Sequence, residues 1–261
     1  MHPIINMQNI IYKRENKTIL SDINWTVSKG EHWAVLGLNG SGKTSLLNMV
    51  NGYIWPTKGE IRVLDRLFGK TDIRELRKSI GWVSSSLQER MKGTEYTEAV
   101  VVSGKYASIG GLYENPTDAD FKKALHIMES LGCSELAGRT YQTCSQGEKQ
   151  KILIARGLMA SPDLLILDEP SNGLDFISRE ELMTTITNLA TQENAPTIIF
   201  VTHHIEEILP TFTHTLLLRE GKVFDQGDTR NVLTSERLSS FFNKNVLVEW
   251  HRERPWMTIR D

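Results

Sequence analysis

Two cysteines in 261 residues, Cys133 and Cys144, are too few and too widely spaced for a disulfide framework or a C-x-x-C pair. Reduced thiols in a cytoplasmic protein are the simplest reading. Long apolar runs are also missing: stretches such as 164–167 and 198–201 fall far short of the roughly 20 residues a membrane span needs. The start, Met1-His2-Pro3-Ile4, has neither the basic nor the apolar block of a secretion signal. Work at a membrane would therefore require another chain to cross it. Neither charge sign dominates, because 30 Lys and Arg face 32 Asp and Glu for a net −2. That balance argues against a broad nucleic-acid surface, though not against a local basic groove. Repeats, low-complexity linkers and coiled-coil arms are absent. The length suits one large domain, or one with a subdomain.

Against this plain background one stretch stands out. Gly37-Leu38-Asn39-Gly40-Ser41-Gly42-Lys43-Thr44 reads G-x-x-x-x-G-K-T, after the apolar run 33–36 and before the helix-like run 45–50. Strand, loop and helix in that order are the context of a phosphate-binding loop. Glycines let successive N–H groups curl inward, and the helix start adds its positive dipole end. Lys43 is placed to reach the outer phosphates of a nucleotide, and the Thr44 hydroxyl to ligate Mg²⁺. A glycine-rich turn that happens to carry Lys-Thr is the bland alternative.

Strands are expected at 4–11, 19–27, 60–64, 80–83, 164–167 and 197–201, with a hairpin at 215–224. Helices are expected at 72–78, 94–103, 118–131, 134–139, 146–158 and 178–191. Gly110-Gly111 and Asn115-Pro116 break the region between about 90 and 145, which reads as a helical insertion. The pattern predicts an α/β fold with a mainly parallel sheet, an N-terminal antiparallel β portion and that helical subdomain. The core would comprise 1–89 and 146–227, followed by a tail, 228–261, with one or two short helices.

Two further stretches carry chemistry. Residues 164–167 form an apolar strand ending in Asp168 and Glu169. Beside a phosphate loop, Asp168 could hold Mg²⁺, and Glu169 could polarise a water aimed at the γ-phosphate. Ser145 and Glu148 make a capping box, S-x-x-E, ahead of apolar helix positions. A capped helix start with a nearby glycine is also an anion site.

Residues 37–44, 144–150, 164–169, Asn172-Gly173-Leu174-Asp175 and Val201-Thr202-His203, in this order, resemble the ATP-binding cassette (ABC) ATPase family over roughly residues 4–227. The family's L-S-G-G-Q/E-x-Q signature appears as residues 144–150, retaining Ser145 and Gly147 and departing at Cys144 and Gln146. The Gln146 side chain must then face away from nucleotide. The resemblance implies a P-loop NTPase core and a head-to-tail homodimer with two ATP molecules at its interface. Each ATP would lie on Gly37–Thr44 and Ser45 of one copy and face Ser145 and Gly147 of the other. Asp175 would run along that interface, and His203 would touch the γ-phosphate. His204 is the rival, but the family histidine directly follows the residue matching Thr202. The family's metal-contacting glutamine is matched either by Gln88, three residues late, or by Ser85. The adenine-stacking position is matched by Tyr12 or by Arg14.

What the resemblance implies functionally is an ATP-hydrolysing transporter subunit, cytoplasmic and peripheral on the inner membrane face, docked on integral membrane subunits. The insertion would be its docking surface, with Tyr96, Tyr106 and Tyr113 as candidate contacts or as ordinary packing. A non-transport cassette acting on nucleic acid or ribosomes is the alternative. Such relatives usually carry paired cassettes or long arms, which this chain lacks, and no direct nucleic-acid partner is expected. A regulatory ATP-binding module is a third option, opposed by retention of Lys43, Glu169 and His203. Gly30-Glu31-His32-Trp33 and residues 81–90 look similar to single-cassette ATPases of molybdate or metal-chelate uptake.

Overall fold

The computed structural model describes residues 3–106 and 115–260, so Gly110, Gly111 and Tyr113 lie outside the described residues. The chain forms two compact units, Met1–Leu76 with Thr197–Asp261, and Arg77–Pro196. It begins in the first unit with β1 (Ile5–Arg14), β2 (Lys17–Val27), β3 (Trp33–Leu36), α1 (Lys43–Val50), β4 (Lys58–Val63) and β5 (Arg66–Leu67). The boundary falls within α2 (Ile73–Lys78). The second unit then holds β6 (Ile80–Ser84), α3 (Ser85–Gln88), α4 (Thr97–Val102), α5 (Asp118–Ser130), α6 (Gln146–Leu158), β7 (Leu164–Asp168) and α7 (Phe176–Ala190). The chain returns to the first unit through β8 (Thr197–Thr202), β9 (His214–Arg219), β10 (Lys222–Asp228), α8 (Thr229–Val232), α9 (Ser235–Phe242), β11 (Val246–His251) and β12 (Arg254–Ile259).

In the first unit one sheet is antiparallel, in the order β2-β1-β4-β5. Ile23, Trp25 and Val27 of β2 alternate with exposed neighbours, the mark of a strand with one wet face. Four further first-unit strands lie in the order β10-β9-β3-β8, with β3 parallel to both β9 and β8. Val35 is in register with Val201 and Leu216, and all three are fully buried. Strands covered on both faces read as unbroken apolar runs, which is how 33–36 and 197–201 were recognisable. Ahead of them, Gly30-Glu31-His32-Trp33 is spent on scaffold contacts. The Glu31 carboxylate accepts from the Trp33 indole (3.1 Å) and the Ser28 N–H (2.9 Å). His32 Nδ1 accepts from the Ile198 N–H at 3.1 Å.

In the second unit β6 and β7 pair in parallel, with Ser84 beside Asp168. The described residues between 90 and 145 hold α4, α5 and short 3-10 turns, less helix than their pattern suggests. The helix expected at 94–103 starts only at Thr97. The one expected at 134–139 shrinks to a single 3-10 turn, Ser134–Leu136. Thr117 caps α5, and Asp120 collects the Lys105 ammonium (2.7 Å), the Tyr106 hydroxyl (3.2 Å) and the Thr117 N–H (3.0 Å). Lys105 and the Thr117 N–H hold its carboxyl well below the usual carboxylate range. Tyr106 is thus tied into this network, whereas Tyr96 is 55% exposed.

The tail contains two short helices and also the β11–β12 hairpin, which was not expected. Its two-residue turn is Arg252-Glu253, both at positive φ (48° and 66°). That geometry favours Asn-Gly or Asp-Gly, so Arg252-Glu253 carries no turn signal.

The turn between β9 and β10 bears on the phosphate loop. The Gly221 N–H donates to the Ser41 carbonyl (2.9 Å), and its own carbonyl accepts from Ser21 (2.8 Å). Gly221 sits at φ +74°, where an added Cβ would lie 2.1 Å from the Ile19 carbonyl oxygen. Gly221→Ala is therefore expected to cost more than ~1 kcal/mol, read as a lowered thermal midpoint. An unchanged midpoint would show that this wedge does not support the loop.

Candidate functional site

The loop Gly37–Thr44 joins β3 to α1. Gly42 is the N-cap of α1 at φ +106°, a left-handed conformation, and an added Cβ would meet a Leu20 methyl at 2.9 Å. Only glycine takes that backbone without strain. The first turn of α1 receives no side-chain cap and contains no acidic residue. Its start thus keeps the positive end of the helix dipole directed at the loop. The Lys43 side chain folds back along the loop, donating to the Gly37 carbonyl at 2.7 Å and the Leu38 carbonyl at 3.4 Å. Lys43 and Ser41 are buried, while Leu38, Asn39 and Gly40 are exposed. Thr44 and Ser45 follow in the first turn. The same unit holds Tyr12, half-buried in β1 opposite Leu20, and Arg14, exposed opposite Lys17.

His203 directly follows β8 and lies against His204, ring centroids 4.1 Å apart. The Thr202 hydroxyl donates to the buried Glu207 carboxylate (2.5 Å) and accepts from the His204 N–H (2.9 Å). These bonds close a tight loop around the two histidines.

In the second unit Asp168 ends β7, and both it and Glu169 are half-buried. Glu169 has φ +50°, rare for a residue with a Cβ. Strain of this kind at a strand end is kept when something other than stability selects the geometry. Its carbonyl accepts from Asn172, and the loop continues to Asp175, which caps α7. Asp175 accepts from the Ser178 N–H (3.0 Å) and hydroxyl (2.7 Å), which hold its carboxyl below the usual range. Since the helix was expected to begin at Ser178, this capping role was missed, although an aspartate before the helix start is the signal for it.

Ser145 caps α6 as the sequence pattern indicated. Its hydroxyl accepts from the Glu148 N–H (3.3 Å), and the Glu148 carboxylate accepts from the Ser145 N–H (2.6 Å). Arg139, not singled out in the sequence, braces Glu148 at 3.0 Å and also donates to the Thr143 carbonyl. Ser145 and Gln146 are exposed, Gly147 is half-buried, and Cys144 fills a buried position where an apolar residue fits. Gln88 is drawn to this helix. Its amide donates to Gln146 (2.6 Å), and its carbonyl accepts from Gln150 (2.9 Å). In this conformation both ends of the Gln88 amide are engaged by α6. Gln146, the departure from the family signature, is one of its two partners. Ser85 begins α3 and is exposed.

Among known proteins, the family described as ABC transporter matches residues 20–172. YlmA, an uncharacterized ABC transporter ATP-binding protein of Bacillus subtilis (strain 168), is 51% identical over 98% of this chain and 97% of its own. The molybdate import ATP-binding protein MolC of Haemophilus influenzae is 30% identical over 93% of this chain and 89% of its own. The solved structure of cbiO1 from Clostridium perfringens, described as part of the ABC transporter complex cbiONQ, is similar at a TM-score of 0.78 and 26% identity. That likeness covers 93% of this chain and 95% of cbiO1.

The α6 cap has a measurable acid dependence. Burial pushes the Glu148 carboxyl up, but the Ser145 N–H, the Arg139 guanidinium and the Ser145 hydroxyl outweigh it and leave it below 4.5. A carboxyl so held binds fewer protons folded than unfolded, so its contribution is present above 4.5 and lost as pH falls through the lowered value. Glu148→Gln should cost on the order of 0.5–1 kcal/mol at neutral pH and flatten that acid limb in urea unfolding. Identical acid limbs in the two proteins would remove Glu148 from the cap.

Proposed function

This chain belongs to the ABC transporter family as an ATP-binding ATPase subunit, and from that premise we propose how its residues divide the work. The observation carrying the reading is the phosphate loop itself. A left-handed Gly42 opens an α1 that lacks a side-chain cap, and the buried Lys43 ammonium rests on the carbonyl of Gly37. Carbonyl oxygens carry only partial negative charge, so phosphate oxygens bind an ammonium more strongly. Lys43 would exchange Gly37 for the outer phosphates of ATP, with backbone N–H groups of residues 39–45 around them.

Mg²⁺ suits the donors assigned to it. Thr44 offers a hydroxyl and Asp168 a carboxylate, the oxygen ligands this ion prefers. Among the described residues no group of three or more His, Cys, Asp or Glu is built to hold a metal. An ion held by one or two side chains, phosphate oxygens and water fits that composition. When bound, it would neutralise charge on the phosphates. A long amide reaches metal better than a serine hydroxyl, so Gln88 remains the third candidate ligand over Ser85. To serve there Gln88 must leave Gln146 and Gln150. Glu169 orients the attacking water and accepts its proton, and His203 steadies the γ-phosphate. Tyr12 stacks on the adenine in preference to the more exposed Arg14.

The exposed Ser145, followed by Gly147 in the first turn of α6, would receive the γ-phosphate of an ATP carried by a second copy. Closure of a head-to-tail homodimer by ATP, and its reopening after hydrolysis, follow from contacts made only with that phosphate. Asp175 would lie along the same interface while capping α7. No helix among the described residues is long and apolar enough to cross a membrane. Separate integral membrane subunits are the partners this reading requires, with the chain peripheral on the inner membrane face. The relatives described above are transporter subunits, and none favours a nucleic-acid role. Of the two stretches similar to molybdate and metal-chelate cassettes, 30–33 and 81–90, the first is occupied by scaffold contacts and assigns no solute.

Glu169→Gln should bind ATP as tightly as the unaltered chain, lose nearly all turnover and accumulate as an ATP-bound dimer on gel filtration. Full hydrolysis by this variant would remove Glu169 from its role. Lys43→Ala should weaken ATP binding by roughly 1.5–3 kcal/mol in calorimetry, the scale of a charge-assisted hydrogen bond. Equal affinity would contradict the loop assignment.

A further inference from the structure

The β11–β12 hairpin ends the described chain far in sequence from the loop that carries His203, yet it contacts that loop. Arg254, the first residue of β12, directs two guanidinium N–H groups at one oxygen, the Glu206 carbonyl, at 3.0 Å from Nε and 2.6 Å from Nη2. Glu206 lies in the 3-10 turn Ile205–Glu207, beginning two residues after His203. From within, that turn is closed by Glu207, 1% exposed, whose carboxylate accepts from Thr202 on the other side of the histidines. Ile205 and Ile208 anchor it in the core. From outside it is held by Arg254.

The hairpin has moorings of its own besides Arg254. Arg230 pairs with Glu253 and lies over the Trp250 ring at 4.1 Å. The Ser235 hydroxyl accepts from the Val248 N–H (2.9 Å), and the Ser239 hydroxyl from the Val246 N–H (3.0 Å). With the hairpin fixed by α8 and α9, the two Arg254 bonds act on the turn. A carbonyl gripped by a cation through two donors has little freedom to tilt, and the peptide planes back to His203 inherit that restriction.

We infer that Arg254 is a positioning residue for ATP hydrolysis, setting the orientation of His203 through the Ile205–Glu207 turn. The inference rests on the role proposed above for His203. It makes the C-terminal hairpin part of the hydrolytic apparatus without giving it contact with nucleotide.

Steady-state ATP hydrolysis by the full chain, comparing Arg254→Gln, Arg254→Lys, Glu253→Gln and His203→Ala, tests it. Arg254→Gln should lower kcat about tenfold and leave KM for ATP within about twofold, the pattern of an interaction realised after binding. Arg254→Lys, which still donates to the Glu206 carbonyl, should recover most of the rate. Glu253→Gln, which weakens a mooring of the hairpin but leaves Arg254, should match the unaltered chain. If Arg254→Gln misfolds, the Lys variant decides alone, since a rate near that of the unaltered chain supports the inference and a tenfold loss overturns it. A normal kcat for Arg254→Gln beside a slow His203→Ala overturns this inference only. A normal kcat for His203→Ala overturns the reading of the histidine itself.

Discussion

A buried lysine ammonium resting on a backbone carbonyl is the contact around which the first unit is arranged. Taking a charge out of water costs several kcal/mol unless polar groups replace the solvent, and at Lys43 the carbonyls of Gly37 and Leu38 take part in that. They can do so because the chain curls back between β3 and α1, and it can curl because Gly42 occupies a backbone region closed to other residues. Gly221 presses on the same loop from the β9–β10 turn, and the buried strands β8, β3 and β9 fix where the loop begins. Such an arrangement stores a preference for anions: the donors are already oriented, and a triphosphate need only replace weaker acceptors. Preorganisation of this kind costs stability in the empty protein and returns it on binding.

Each unit holds its functional side chains by polar bonds between elements distant in sequence. In the second unit Gln88, just beyond β6, is gripped by Gln146 and Gln150 of α6. A family glycine position occupied by glutamine thereby gains a purpose: its side chain turns to Gln88. In the first unit the loop after β8 is closed by Thr202 and Glu207 and braced by Arg254. Both arrangements connect a candidate nucleotide-contacting residue to an element distant from it in sequence. Signals of nucleotide state could enter and leave through elements of this kind, because a small shift at one end must break or remake identifiable bonds at the other.

How much of this was legible beforehand follows from where each signal resides. The phosphate loop, the strand ending in Asp168 and Glu169, and the Ser145–Glu148 cap are local: neighbouring residues make them, so spacing reveals them. The sheets were legible because buried parallel strands are apolar throughout. The β11–β12 hairpin was not, since Arg252 and Glu253 adopt a turn that their side chains do not advertise. The 134–139 stretch had helical composition, yet tertiary contacts left it one 3-10 turn. Gln88 could be placed near the site by family spacing, but its choice of Gln146 and Gln150 follows from α6 and α3 both packing on β6 within the second unit. Arg139 and Arg254 carried no local pattern at all, because an arginine that braces a distant carboxylate or carbonyl looks like any surface cation in the sequence.

The most direct test of the central claim is a crystal structure of the full chain with ATP and Mg²⁺, using the Glu169→Gln variant so that the nucleotide survives. The account predicts the triphosphate lying along Gly37–Thr44 with the Lys43 ammonium moved from the Gly37 carbonyl onto phosphate oxygens, and Ser145 of a second copy at the γ-phosphate. A nucleotide bound elsewhere, with Lys43 still on the Gly37 carbonyl, would contradict it.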